Sequence, residues 1–123
     1  MAVTLGKVGD ALATYLITDE DADPTVESNA TGASSGTAYC FYGNNASSNS
    51  ATYLKVSQNA SPTNSSTIPD HMFYFPAGTA ISYIVGAGHA WTTALSFWAT
   101  STAANGATQT DTGAQVTVRI LTT

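Results

Sequence analysis

The chain has 123 residues, the size of one domain and too short for two. Hydrophobic residues make up 43% and aromatics 10%, a globular composition, but only 9% are charged, against roughly 25% in an ordinary soluble domain. The net charge of −5 leaves Lys7, Lys55 and Arg119 as the only Lys and Arg residues. They are too few to neutralise a row of phosphates or grip an anionic bilayer, so no nucleic-acid or membrane partner is expected.

In chain order, Ala2-Val-Thr-Leu5 reads as a short β-prone segment, and Gly6 and Gly9 follow it. Such a terminus is suited to adding a strand to a partner's sheet edge, which makes Val3 and Leu5 interface candidates. The first twenty residues lack a basic region followed by an apolar one, so a secretory signal is not expected. Asp10 to Ile17 reads as a helical turn or as a strand, with Thr14, Tyr15 and Ile17 leaning towards strand. Asp19-Glu-Asp-Ala-Asp-Pro24 is an acidic break, and Glu27 to Gly36 is loop-like around a brief extended stretch near Val26.

Six clearer strands follow. Thr37-Ala-Tyr-Cys-Phe-Tyr42, Thr52-Tyr-Leu-Lys-Val56 and Met72-Phe-Tyr-Phe75 are short and rich in aromatic or β-branched residues. Ile81 to Val85 alternates, with Ile81, Tyr83 and Val85 on one face. Ala94 to Ala99 puts Leu95 and Phe97 opposite Ser96 and Trp98. Val116 to Leu121 turns Val116, Val118 and Ile120 inward and Thr117 and Arg119 outward. Gly43-Asn44-Asn45, Pro76-Ala77-Gly78 and Gly86-Ala87-Gly88 supply turn chemistry between them. The expectation is an all-β, antiparallel sandwich or jelly roll as one structural domain, with residues 1–30 as a less regular N-terminal arm or edge segment and 31–123 as the sandwich. Cys40 is alone, so no intrachain disulfide is expected and a reducing compartment suits the chain. The apolar run from Ala80 to Trp91 is broken by Ser82, Gly86, Gly88 and His89, too short and too interrupted to span a bilayer.

Few residues are arranged for chemistry. Gly32-Ala-Ser34-Ser-Gly36 fits the G-x-S-x-G pattern, which activates a serine only at a strand-to-helix turn above a parallel sheet; here it falls in a small-residue loop of a β chain. Asp70 directly precedes His71, and neighbours in a strand point to opposite faces, so the carboxylate is not placed to orient that ring. His71, His89 and Cys40 offer no zinc spacing. Asp19, Asp21 and Asp23 match the first ligands of a calcium loop, but Pro24 and Ala30 stand where Gly and Glu are required. The four N-x-S/T sequons at Asn29, Asn45, Asn59 and Asn64 reflect the abundance of Ser and Thr. No catalysis, cofactor or metal is expected. Trp91 and Trp98 are the remaining candidates, as anchors in a protein interface or, with the tyrosines, as a sugar-stacking platform. Trp98 stands out because it shares its strand face with only Ser96 and Ala94.

From about Ser35 onward the sequence resembles a family of small virion proteins of tailed bacteriophages. The resemblance lies in the order of its segments: Ser35-Gly-Thr-Ala-Tyr39 leading to Asn44-Asn45, then Ala51-Thr-Tyr-Leu-Lys-Val56, Pro62-Thr63, Ile68-Pro-Asp70 and Phe75-Pro-Ala-Gly78. Trp91-Thr-Thr-Ala-Leu-Ser-Phe97 follows, with Ala94 where the family usually has Gly, and Val116-Thr-Val-Arg-Ile120 closes the pattern. The resemblance covers roughly two-thirds of the chain and leaves out Met1 to Asn29. It implies a β-sandwich decoration or cement subunit, assembled in the host cytoplasm and carried as a homotrimer on the outer capsid surface, where it clamps neighbouring copies of the major capsid protein. The competing readings are a tail or fibre component and a carbohydrate-binding virion module.

Overall fold

The computed structural model describes residues 15–105 and 116–123. Among the described residues seven strands form two antiparallel sheets. β1 (Tyr15–Asp19), β7 (Thr117–Thr122), β2 (Gly36–Asn44) and β5 (Ala80–Trp91) lie side by side in one, and β4 (His71–Phe75), β3 (Thr52–Ser57) and β6 (Ser96–Thr100) form the other. Only β3 and β4 follow one another as neighbours in a sheet; from β2 onward every other connection crosses between the sheets. The sheets pack face to face, so the expected sandwich is present.

Alternation explains the core. Val118 and Ile120 of β7, Ala38 and Phe41 of β2, Leu54 and Val56 of β3, Phe75 of β4, and Phe97 and Ala99 of β6 are all buried in one cluster. Each large apolar side chain in it contributes about 1.5–3 kcal/mol by leaving water. The Phe41 and Phe73 rings stack across the two sheets with centroids 4.3 Å apart. Gly43 permits this packing at the end of β2, since any Cβ there would run into the ring of Phe75.

Two of the expected strand boundaries need correction. Gly86-Ala87-Gly88 is not a turn: β5 runs through it to Trp91. The register between β2 and β5 shifts there, Val85 to Gly88 of β5 lying opposite Tyr39 alone, and Gly88, at φ 77°, both takes the backbone twist and leaves room for Thr37 and Tyr39. Of the segment expected as an arm or edge, residues 1–14 lie outside the described residues and residues 15–30 run along the edges of the sandwich. β1 pairs with β7 along its whole length. The stretch from Asp23 to Ala30 hydrogen-bonds along the free side of β6, Glu27 and Phe97 exchanging both backbone bonds at 2.8 and 3.1 Å. Finally, β6 starts at Ser96, and all five of its residues are buried, so it has no solvent face.

Candidate interaction surface

The four expected interface residues fare differently. Val3 and Leu5 lie outside the described residues. Trp91 and Trp98 are each only 1% exposed, so neither indole is presented to a partner or a sugar in this fold. Trp91 closes one end of the core, its Nε1 donating to Thr122 Oγ1 at 3.4 Å. Trp98 does leave the inner face, as alternation requires, but it is buried beside Lys55 of β3. Lys55 donates from Nζ to the carbonyl of Ala104, which follows β6, at 2.8 Å. Burial there pushes the Lys55 amine below its ordinary pKa. Among the described residues the Trp98 Nε1 finds no acceptor.

Other chemistry-bearing residues are placed as follows. Ser34 lies in the loop before β2, away from any helix. Asp19 and Asp23 use their carboxylates locally, accepting from the backbone N–H groups of Asp21 and Thr25. Among the described residues no three His, Cys, Asp or Glu side chains gather to hold a metal. Asn45 is fully buried, its amide committed to carbonyls of the same chain. Asp19, Glu20, Asp21 and Glu27, with Ile17, Ala30 and Phe97, line an open hollow of about 650 Å³ on the β1 side of the sandwich.

On the opposite side His71 of β4 meets His89 of β5, Nε2 to Nδ1 at 3.0 Å with the rings edge to face. One nitrogen donates and the other accepts, so the contact needs one ring to keep a bare nitrogen. Burial and the neighbouring His71 hold His89 below its ordinary value of 6.5, and Asp70 offsets part of this. Between that lowered value and 6.5 the unfolded chain binds more protons than the folded one, so acid costs stability. The urea midpoint should therefore be flat above pH 6.5 and fall below it. His89→Gln should flatten that fall; an unchanged pH profile in the variant assigns the acid sensitivity elsewhere.

Part of the exposed apolar surface lies on the outer face of the four-stranded sheet. Register sets Leu16 opposite Leu121, Leu121 opposite Cys40, and Cys40 opposite Ile84. This single row crosses all four strands. Leu16 is 62% and Ile84 80% exposed, with Leu121 and Cys40 half-buried between them. The next row is Thr18, Arg119, Tyr42 and Ser82, with the Arg119 guanidinium 5.4 Å above the Tyr42 ring. Isolated exposed apolar residues are ordinary on a protein surface, whereas a continuous apolar row on a rigid sheet is a surface for a partner. Sequence reading missed it because the row takes one residue from each of four strands distant in the chain. The alternation inside each strand marks Leu16 and Ile84 only as outward-facing. No family model, no curated protein and no solved structure matches the chain.

Proposed function

We propose that this protein is a non-catalytic virion subunit that docks on the outside of a tailed-phage head and clamps neighbouring copies of the major capsid protein. The observation that carries the reading is the apolar row Leu16–Leu121–Cys40–Ile84, laid across a four-stranded sheet. A sheet backed by a packed core keeps its shape under load, and a face with little charge loses little on desolvation. Both properties suit a clamp, and the order of segments from Ser35 to Ile120 adds the resemblance to phage decoration proteins. Repeated sites on a shell would multiply a modest affinity, each further contact becoming effectively intramolecular once the first has formed.

Co-sedimentation tests the reading. The purified chain, mixed with undecorated heads of its phage and separately with tails, should pellet with heads and raise their resistance to heat or low salt. Pelleting with tails alone would move it to a tail or fibre role. Binding to neither particle would remove the virion assignment.

A further inference from the structure

The two rows on the outer sheet face carry one charge, and it is positive. Lys55 is buried, its Nζ donating to the Ala104 carbonyl, which leaves Arg119 as the exposed cation among the described residues. The nearby carboxylates of Asp19, Glu20, Asp21 and Glu27 line the hollow beside β1 instead. Along β1 the outward row residues are Leu16 and Thr18, while Ile17 and Asp19 pair with Ile120 and Val118 on the inward side of β7. Arg119 touches the Tyr42 ring but pairs with no carboxylate among the described residues. A guanidinium held over an aromatic ring keeps its edge free for a planar, bidentate acceptor.

Building on the virion reading, we infer that the partner's contact surface is an apolar ridge with a carboxylate beside it, the ridge lying along Leu16, Leu121, Cys40 and Ile84 and the carboxylate meeting Arg119. A second copy packed through the same face about a twofold axis does not satisfy this chemistry. It offers the same two rows, with no carboxylate in them, and would strip water from two guanidiniums with nothing to pair them. An anionic bilayer or nucleic acid is equally poorly matched, since a lone cation on this face gives no footprint for a run of phosphates. The occupant is therefore an acidic-and-apolar patch on another protein, in the virion reading the outer surface of the capsid protein.

The test uses the full chain and undecorated heads. Ile84→Asp puts a charge on the ridge at an exposed position, and Arg119→Glu sets like charges face to face. Each should weaken head binding tenfold or more while leaving the urea midpoint near that of the parent. Raising salt should weaken the parent and, by screening the repulsion, strengthen Arg119→Glu. Ile68→Asp, at an exposed position outside both rows, should bind as the parent does. Cys40, the only cysteine and a member of the ridge, gives a readout without substitution: maleimide labelling should slow when the protein is head-bound. If the parent fails to bind heads, the head-docking reading falls. If the parent binds, but Ile84→Asp and Arg119→Glu bind equally well and Cys40 is labelled unhindered, the docking face is elsewhere and this inference alone falls. Loss of binding in Ile84→Asp with none in Arg119→Glu overturns the carboxylate. An oligomer of the free chain that Ile84→Asp dissolves, with head binding intact, overturns the choice of partner in favour of a second copy.

Discussion

Replacing Trp91 by alanine is expected to cost about 3–5 kcal/mol of folding stability, the range for deleting a large aromatic from a packed core. The indole stands at the end of β5, opposite Gly36 of β2. Gly36 has no room for a Cβ, because the Trp91 ring and the Thr123 carbonyl already fill that space. The indole Nε1 also donates to Thr122 Oγ1, so one side chain ties the ends of β2, β5 and β7 together. Alanine would leave a cavity against Gly36, where a glycine offers no side chain to refill it, and would cut the link to Thr122. Urea denaturation should show a lower midpoint with little change in slope. Trp91→Phe should lie between parent and alanine, restoring ring volume without the donor. A loss under about 1 kcal/mol for Trp91→Ala would mean that the indole does not close the core.

Local patterns made much of the sandwich readable. Val116, Val118 and Ile120 alternate without interruption, and β7 follows them with all three buried. Thr52 to Val56 and Met72 to Phe75 differ from the observed strands by one residue at one end. Alternation fails at β5 for a physical reason: Gly86 and Gly88 look like punctuation, but the positive φ of Gly88 belongs to a register shift in the pairing of β5 with β2, a strand far away in the chain. The same non-locality hides the surface. Trp98 faces away from the core, as its position in β6 predicts, yet it is buried, and no periodicity announces that burial. Leu16 and Ile84 become members of one row only through the pairing order β1-β7-β2-β5. Strand existence is a property of a few adjacent residues; strand order depends on contacts across the whole chain.

Asn45 illustrates the same limit, and its replacement is the second large expected effect. In the sequence it is one half of an Asn-Asn turn. In the fold it is fully buried, and its Nδ2 lies 2.8 Å from the Ser50 carbonyl, 3.1 Å from that of Phe75 and 3.2 Å from that of Pro76. Its Oδ1 accepts from Thr52 Oγ1 at 3.3 Å. Its own backbone donates to Thr79 and accepts from Ser48 and Gly78, so the residue joins the end of β2 to the start of β3 and to the β4–β5 turn. Asn45→Ala removes the donor and orphans buried carbonyls, at about 1–3 kcal/mol for each one that water does not reach; a total of about 2–4 kcal/mol is expected on that scale. Asn45→Asp should be worse at neutral pH, since a carboxylate would face three carbonyl oxygens with no proton to offer. The two substitutions then separate on acidification. Facing those carbonyls, the carboxyl introduced by Asn45→Asp titrates in the folded state above its unfolded value of about 3.9. Its penalty therefore grows as pH rises through that window and shrinks as pH falls. Relative to the parent, Asn45→Asp should recover stability towards a pH of about 4, near that unfolded value, whereas Asn45→Ala should keep a constant deficit. Parallel pH profiles for the two variants would show that the amide's donor role is not what holds this corner.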